Sequence, residues 1–224
     1  MLSYVSINVK EKYPMLLLKF INNPELILYI PVSLIIAITV HEFMHAWTAN
    51  FLGDPTPKHL GRLSLNPLAH LDPLGTLALV FLGFGWGKPV PINPNNFKNP
   101  RLGSALTSVA GPLTNLLLAD VLALTYKFGG LTTETLGGRV VLAIIFYNLL
   151  LMIFNLIPIP PLDGSGFAAL FFPVFESERW RQLGPIILIM ILVFTGFTFI
   201  WPIILTVLKL IGIDPVSIYF LFPR

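Results

Sequence analysis

Three stretches of this chain, Leu26 to Leu52, Leu102 to Phe128 and Gly184 to Ile211, are mainly apolar and exceed the roughly 20 residues that a helix needs to cross a bilayer. Backbone polar groups find no water in lipid, so such stretches must bond internally as helices. A fourth, Val140 to Ile157, is near the lower length limit and runs into Pro158, Pro160 and Pro161, which must end or break it. Pro202 is expected to kink or split the last span. Pro73 to Trp86, with Gly75, Gly83 and Gly85, is too short for a comfortable span and suits a re-entrant hairpin or broken helix packed against protein. The fold class expected is therefore an all-α polytopic membrane protein. About four spanning helices are accompanied by a re-entrant or short membrane segment and small extended loops.

Composition agrees, since the chain is 55% hydrophobic and 11% charged where soluble domains carry about 25% charge. No internal repeat or soluble domain interrupts residues 1–224, which read as a single membrane domain. Residues 1–25 are expected to lie at the interface, because the apolar run Met15 to Leu18 is too short for a signal-peptide core. The net charge of +3 is scattered without a Lys/Arg run, which fits lipid headgroups and argues against nucleic acid as a partner. With 73–86 not crossing, lysine and arginine divide seven and seven between the two sides, so the positive-inside rule sets no orientation. Nothing in the pattern fixes an oligomeric state.

Within the first span stand His41-Glu42-Phe43-Met44-His45. Imidazoles four apart on a helix share one face, and the glutamate beside the first is placed to activate a water on the metal they hold. Ionisable groups are costly in a membrane helix, so their default reading is a functional site. The chain has no cysteine, which excludes thiolate sites and leaves nitrogen and oxygen ligands. A catalytic zinc takes three protein ligands and keeps one position open, so a third is required. Asp54, Asp72, Asp120 and Asp163 are the carboxylates within reach of a membrane site. Asp163 is the best placed, because it follows the proline-broken run from Asn155, where irregular backbone at membrane depth lines a cavity. Its alternative role is the N-cap of a short helix from Gly164 to Phe175.

Taken together, His41-Glu-Phe-Met-His45, Ala110-Gly-Pro-Leu-Thr-Asn115 and Asn155-Leu-Ile-Pro-Ile-Pro-Pro-Leu-Asp163-Gly164 resemble the motifs of the site-2 protease family of intramembrane zinc metalloproteases. They stand in the family's order and span most of the chain. The run Gly61 to Thr76 is similar to the compact prokaryotic subgroup that lacks PDZ or CBS domains. The resemblance implies Zn2+ held by His41, His45 and Asp163, and Glu42 as general base. It also implies a role for Asn155 in binding substrate backbone or the oxyanion. The implied protein is a multi-pass enzyme of a prokaryotic cell membrane, with its site toward the cytoplasm and transmembrane protein segments as substrates. One departure is visible: many relatives have two glycines after the aspartate, whereas this chain has Gly164-Ser165.

Several residues keep two readings. Gly111-Pro112 permits close helix approach, and Asn115 serves either packing or substrate contact. His70 is a loop histidine, a group tuning the site, or a ligand of a second metal, whereas His59 reads as solvated. Asp120 pairs with a polar neighbour or serves an ion. Alternate prolines at 89 and 91 favour an extended Lys88 to Asn93, which is either an ordinary interfacial loop or an edge that adds an unwound substrate strand. Pro73 to Asn93 and the last span are expected to move when substrate enters. A metal or proton transporter and an inactive scaffold are the competing function classes. The absence of paired broken repeats argues against the first, and the presence of Glu42 against the second.

Overall fold

The computed structural model describes residues 26–82, 86–196 and 198–221. The expected interfacial segment 1–25 and the Gly83 to Gly85 part of the re-entrant candidate lie outside them. The described helices are α1 Leu26–Phe51, α2 Thr56–His59, α3 Pro73–Leu82, α4 Pro100–Phe128, α5 Leu136–Asn155, α6 Asp163–Ala168, α7 Glu178–Thr195 and α8 Trp201–Leu210, with short 3-10 turns between them. Among the described residues the extended backbone pairs only at an antiparallel bridge between Leu71 and Gly87.

Helices α1, α4 and α5 pack on one another and form the body of the protein. Each is long and apolar enough to cross a membrane, over Tyr29–Phe51, Pro100–Phe128 and Leu136–Asn155. Helix α5 is the central one, because every residue from Leu142 to Leu149 is buried. A helix apolar all round is suited to that position. Helix α4 is two-faced. Gly103, Thr107, Gly111, Asn115, Ala119 and Ala123, each four residues after the last, are all buried, while Leu102, Leu106, Leu113, Leu117, Val121 and Leu124 are exposed. The buried row of small residues lets α1 and α5 approach closely, the usual device for packing helices in lipid.

Side-chain caps begin α4 and α5. Asn99 accepts from the Leu102 N–H at 3.1 Å, with Pro100 opening α4, and Thr135 accepts from the Gly138 N–H at 3.1 Å ahead of α5. These bonds satisfy amides that have no partner inside the helix.

Helix α5 ends at Asn155, ahead of the proline run as expected. The last span departs from its expected boundaries, Gly184 to Ile211. It is two helices, and the break lies at Gly196, whose φ of +57° is a left-handed value that glycine adopts without strain. Pro202 instead sits in the first turn of α8, where its missing N–H leaves no bond unmade. Helix α8 and the turn Pro215–Leu221 meet at 119° and supply a fourth span if counted as one. That bent pair packs against α5, and the Tyr29 hydroxyl ties it to α1 by donating to the Leu221 carbonyl at 3.0 Å. The described part of Pro73 to Trp86 is α3, 10 residues long. At about 1.5 Å per residue it covers half of a hydrocarbon core of about 30 Å.

Candidate metal centre

Three ligand atoms from distant parts of the chain converge between α1, α4 and the start of α6. His41 Nε2 lies 3.0 Å from His45 Nε2, and Asp163 Oδ2 lies 3.0 Å from the first and 3.3 Å from the second. Both histidines are buried, and the aspartate side chain is 21% exposed. Asp163 begins α6 but caps nothing: Leu162 holds the cap position without a side-chain bond. The aspartate therefore stands against the two imidazoles and not at the cap position.

The far side of each ring fixes its proton. His45 Nδ1 meets the Thr107 carbonyl at 2.6 Å, which can only accept, so Nδ1 carries the hydrogen. His41 Nδ1 meets Asn115 Oδ1 at 2.6 Å, while the Asn115 amide nitrogen donates to the Ala37 carbonyl at 3.1 Å. Both Nε2 atoms are thus left with bare lone pairs pointing at the carboxylate, and buried Asp163 Oδ2 accepts no hydrogen bond. Three mutually facing acceptors repel unless a cation sits among them. Their separations approach the ~3.3 Å edge of a tetrahedral set with ligand distances of about 2.0–2.1 Å, so the residues fit zinc. His41, His45 and Asp163 also form the group of acidic and imidazole side chains able to hold a metal among the described residues.

Helix α4 supports the pair from behind. A Cβ at Gly111 would lie 2.6 Å from His45 Nε2 and 2.8 Å from His41, so only glycine leaves the imidazoles room. Gly164 is constrained as well, since a Cβ there would lie 2.6 Å from the Ile157 carbonyl. Ser165, where many relatives have glycine, is accommodated: its hydroxyl donates to the Leu162 carbonyl at 2.8 Å.

The centre opens into a cavity of about 620 Å³. Glu42 and Asn155 line it together with the ligands, Trp86, Gly87, Pro89, Val90 and Ile92 form one wall, and Pro185, Leu188 and Ile189 of α7 form another. Asn155 donates to the Leu151 carbonyl at 3.0 Å within its own helix. The extended Lys88 to Asn93 segment is tied at both ends. At one end, the Lys88 N–H donates to the His70 carbonyl at 2.7 Å, and buried Arg62 donates through Nη2 to the Lys88 and Pro89 carbonyls, each at 2.5 Å. At the other, fully buried Asp54 accepts from the Asn93 N–H and the Asn96 amide, both at 2.7 Å, and from the Thr56 hydroxyl at 2.5 Å.

His70 is also fully buried, and its Nε2 donates to the Ser64 carbonyl at 2.6 Å. It is a loop pin outside the ligand cluster. His59 is exposed, as expected, and half-buried Asp120 has no hydrogen-bond partner among the described residues. Thr107, Asn148 and Arg62 were not singled out by sequence. The four-residue row from Gly103 to Ala123 was the available signal for the first.

No family model matches the chain, and no solved structure matches it. Known sequences do. It is 44% identical over 154 residues to a Bacillus subtilis protein named "Putative zinc metalloprotease YwhC", across 65% of this chain and 70% of that one. It is 32% identical over 157 residues to "Putative zinc metalloprotease Rip2" of Mycolicibacterium smegmatis, across 67% of this chain and 59% of that one. The Rip2 protein of Mycobacterium tuberculosis is 34% identical over the same length, with the same shares. The match thus spans under two thirds of the Rip2 proteins. The motifs, the metal-binding geometry and these likenesses coincide, and the chain belongs to the site-2 protease family of zinc metalloproteases.

Proposed function

We propose that this protein is an intramembrane zinc endopeptidase that hydrolyses peptide bonds within or near transmembrane segments of other membrane proteins. The carrying observation is a zinc-type donor set, with a carboxylate beside it, at a cavity walled by helices apolar enough to lie in lipid. His41, His45 and Asp163 hold the metal. When bound, zinc polarises the scissile carbonyl and brings the pKa of water near it down to about 7.

Glu42 takes one proton from the attacking water as its oxygen bonds to the carbonyl carbon. The glutamate then gives that proton to the amide nitrogen as the C–N bond breaks, so an acid and an amine leave. Asn155 faces the same cavity, and its amide, once released from Leu151, donates to the substrate carbonyl oxygen as negative charge develops there. A substrate helix hides its amides in its own hydrogen bonds and must unwind before cleavage. The Lys88 to Asn93 segment offers Val90 and Ile92 as the strand on which the unwound stretch lies. We take the site to face the cytoplasm, a reading supported by the resemblance to the family.

The test incubates purified protein with a panel of transmembrane peptides, with and without a zinc chelator. Expected are about one zinc per chain, cleavage inside or beside the apolar segment, loss with chelator and recovery on adding zinc back. Cleavage that persists in metal-free protein overturns the reading. So does full zinc occupancy in His41→Ala or Asp163→Ala.

A further inference from the structure

We infer that Asn148, in the middle of α5 and outside the motifs, is a positioning residue for zinc. It supplies the shorter of two bonds that set the direction of a hydrogen-bond chain, and that chain leaves His41 Nε2 free to ligate. The chain starts from a group whose polarity cannot change. The Ile144 carbonyl can only accept, and the Asn148 amide nitrogen donates to it at 2.8 Å. Asn148 Oδ1 is thereby turned the other way, where it accepts from the Asn115 amide nitrogen at 2.7 Å. That donation turns Asn115 Oδ1 toward His41 Nδ1, which donates to it at 2.6 Å. A neutral imidazole has one N–H, so the proton held at Nδ1 leaves the Nε2 lone pair bare.

Asn115 has a second anchor, the Ala37 carbonyl at 3.1 Å, which sets the same direction from α1. The Asn148 bond is shorter and goes to an oxygen with no helical partner. Asn115 and Asn148 are both fully buried, so water cannot substitute for either bond. Were Asn115 to rotate by half a turn, its NH2 would face His41 Nδ1. The ring proton would then move to Nε2, which would be lost as a ligand. Groups that orient metal-bound histidines typically change metal affinity by about ten- to a hundredfold.

This inference rests on His41 being a zinc ligand, so the experiment includes a control for that. Zinc affinity is measured by chelator competition on the purified full chain and on H41A, N148L and N148D, with helical circular dichroism as the check on folding. In N148L, close in size, Asn115 loses the shorter of its two anchors, and affinity is expected to fall about ten- to a hundredfold. A protonated aspartate at 148 donates to Ile144 and accepts from Asn115 as asparagine does, so N148D is expected to stay within about threefold of the natural chain. Unchanged affinity in N148L overturns the inference. Equal losses in N148L and N148D overturn it too, because packing alone would then account for the residue. Should N148L not fold, N148D decides: a tenfold loss there rejects the chain as drawn. If H41A keeps its zinc, the ligand set has failed; if H41A loses it and N148L does not, the positioning role alone has failed.

Discussion

The buried guanidinium of Arg62 and the main-chain carbonyl of Lys88 are joined by a hydrogen bond of 2.5 Å, and the same nitrogen reaches the Pro89 carbonyl at that distance. The cavity wall beside Glu42 is thus held by a side chain from the loop after α2. In Arg62→Gln the charge-assisted bonds are lost, at about 1.5–3 kcal/mol for bonds of this type. Cleavage of a transmembrane peptide should weaken on the order of tenfold or more, mostly through KM. Zinc content should be unchanged. Steady-state kinetics with parallel metal analysis checks this, and a fall in kcat at constant KM would place Arg62 in the chemistry instead.

Glu42→Gln should keep its metal, since the three donor atoms of the centre come from His41, His45 and Asp163. An amide is a poor base, and loss of general-base catalysis should slow turnover by about 10²–10⁴. Near-normal turnover would reject the proton path drawn through this residue.

Gly111→Ala would place a methyl group 2.6 Å from His45 Nε2 and 2.8 Å from His41. Overpacking of this kind costs about 1–3 kcal/mol. A lower Tm in detergent and weaker zinc binding are expected together, with calorimetry and chelator competition as the measurements. A variant with both values intact would mean that α1 and α4 can move apart without disturbing the centre.

Acid should loosen the other end of the cavity wall. Burial acts to raise the Asp54 carboxyl, but the hydrogen bonds from Thr56, Asn93 and Asn96 outweigh it and hold the group below its ordinary value. A depressed folded-state pKa contributes stability that is fully present above the unfolded value of about 4 and is lost as pH falls through the folded one. Tm should therefore fall more steeply below about pH 4 in the natural chain than in Asp54→Asn, which should be less stable at neutral pH. Parallel curves would show that other carboxylates govern acid unfolding.

The sequence was most legible where chemistry is local. Histidines at 41 and 45 share a helix face by spacing alone, the prolines after Ile157 announce the end of α5, and the broken backbone before Asp163 marks where a carboxylate can turn inward. The break in the last span was expected at Pro202 but lies at Gly196, because proline is harmless in a first turn and glycine is not bound to negative φ. Asn115 reads equally as packing or substrate contact, and no motif marks Thr107 or Asn148. Their roles depend on which helix faces which, a property of three packed elements that no single stretch of sequence encodes. Arg62 reads as a loop cation until the Lys88 to Asn93 segment is seen to fold over it.

The buried row on α4, from Gly103 through Thr107, Gly111 and Asn115 to Ala123, carries the packing seam and the supports of both imidazoles in one register. Successive helical residues differ by about 100° in azimuth, so a one-residue insertion early in this helix would swing Thr107, Gly111 and Asn115 away from α1 together. Selection for a stable membrane helix and selection for a correctly aimed histidine then act on the same column of positions. Mutational tolerance should be sharply uneven around the helix circumference: permissive toward lipid, and narrow along the seam even at Gly103 and Ala119, which contribute no atom to the centre.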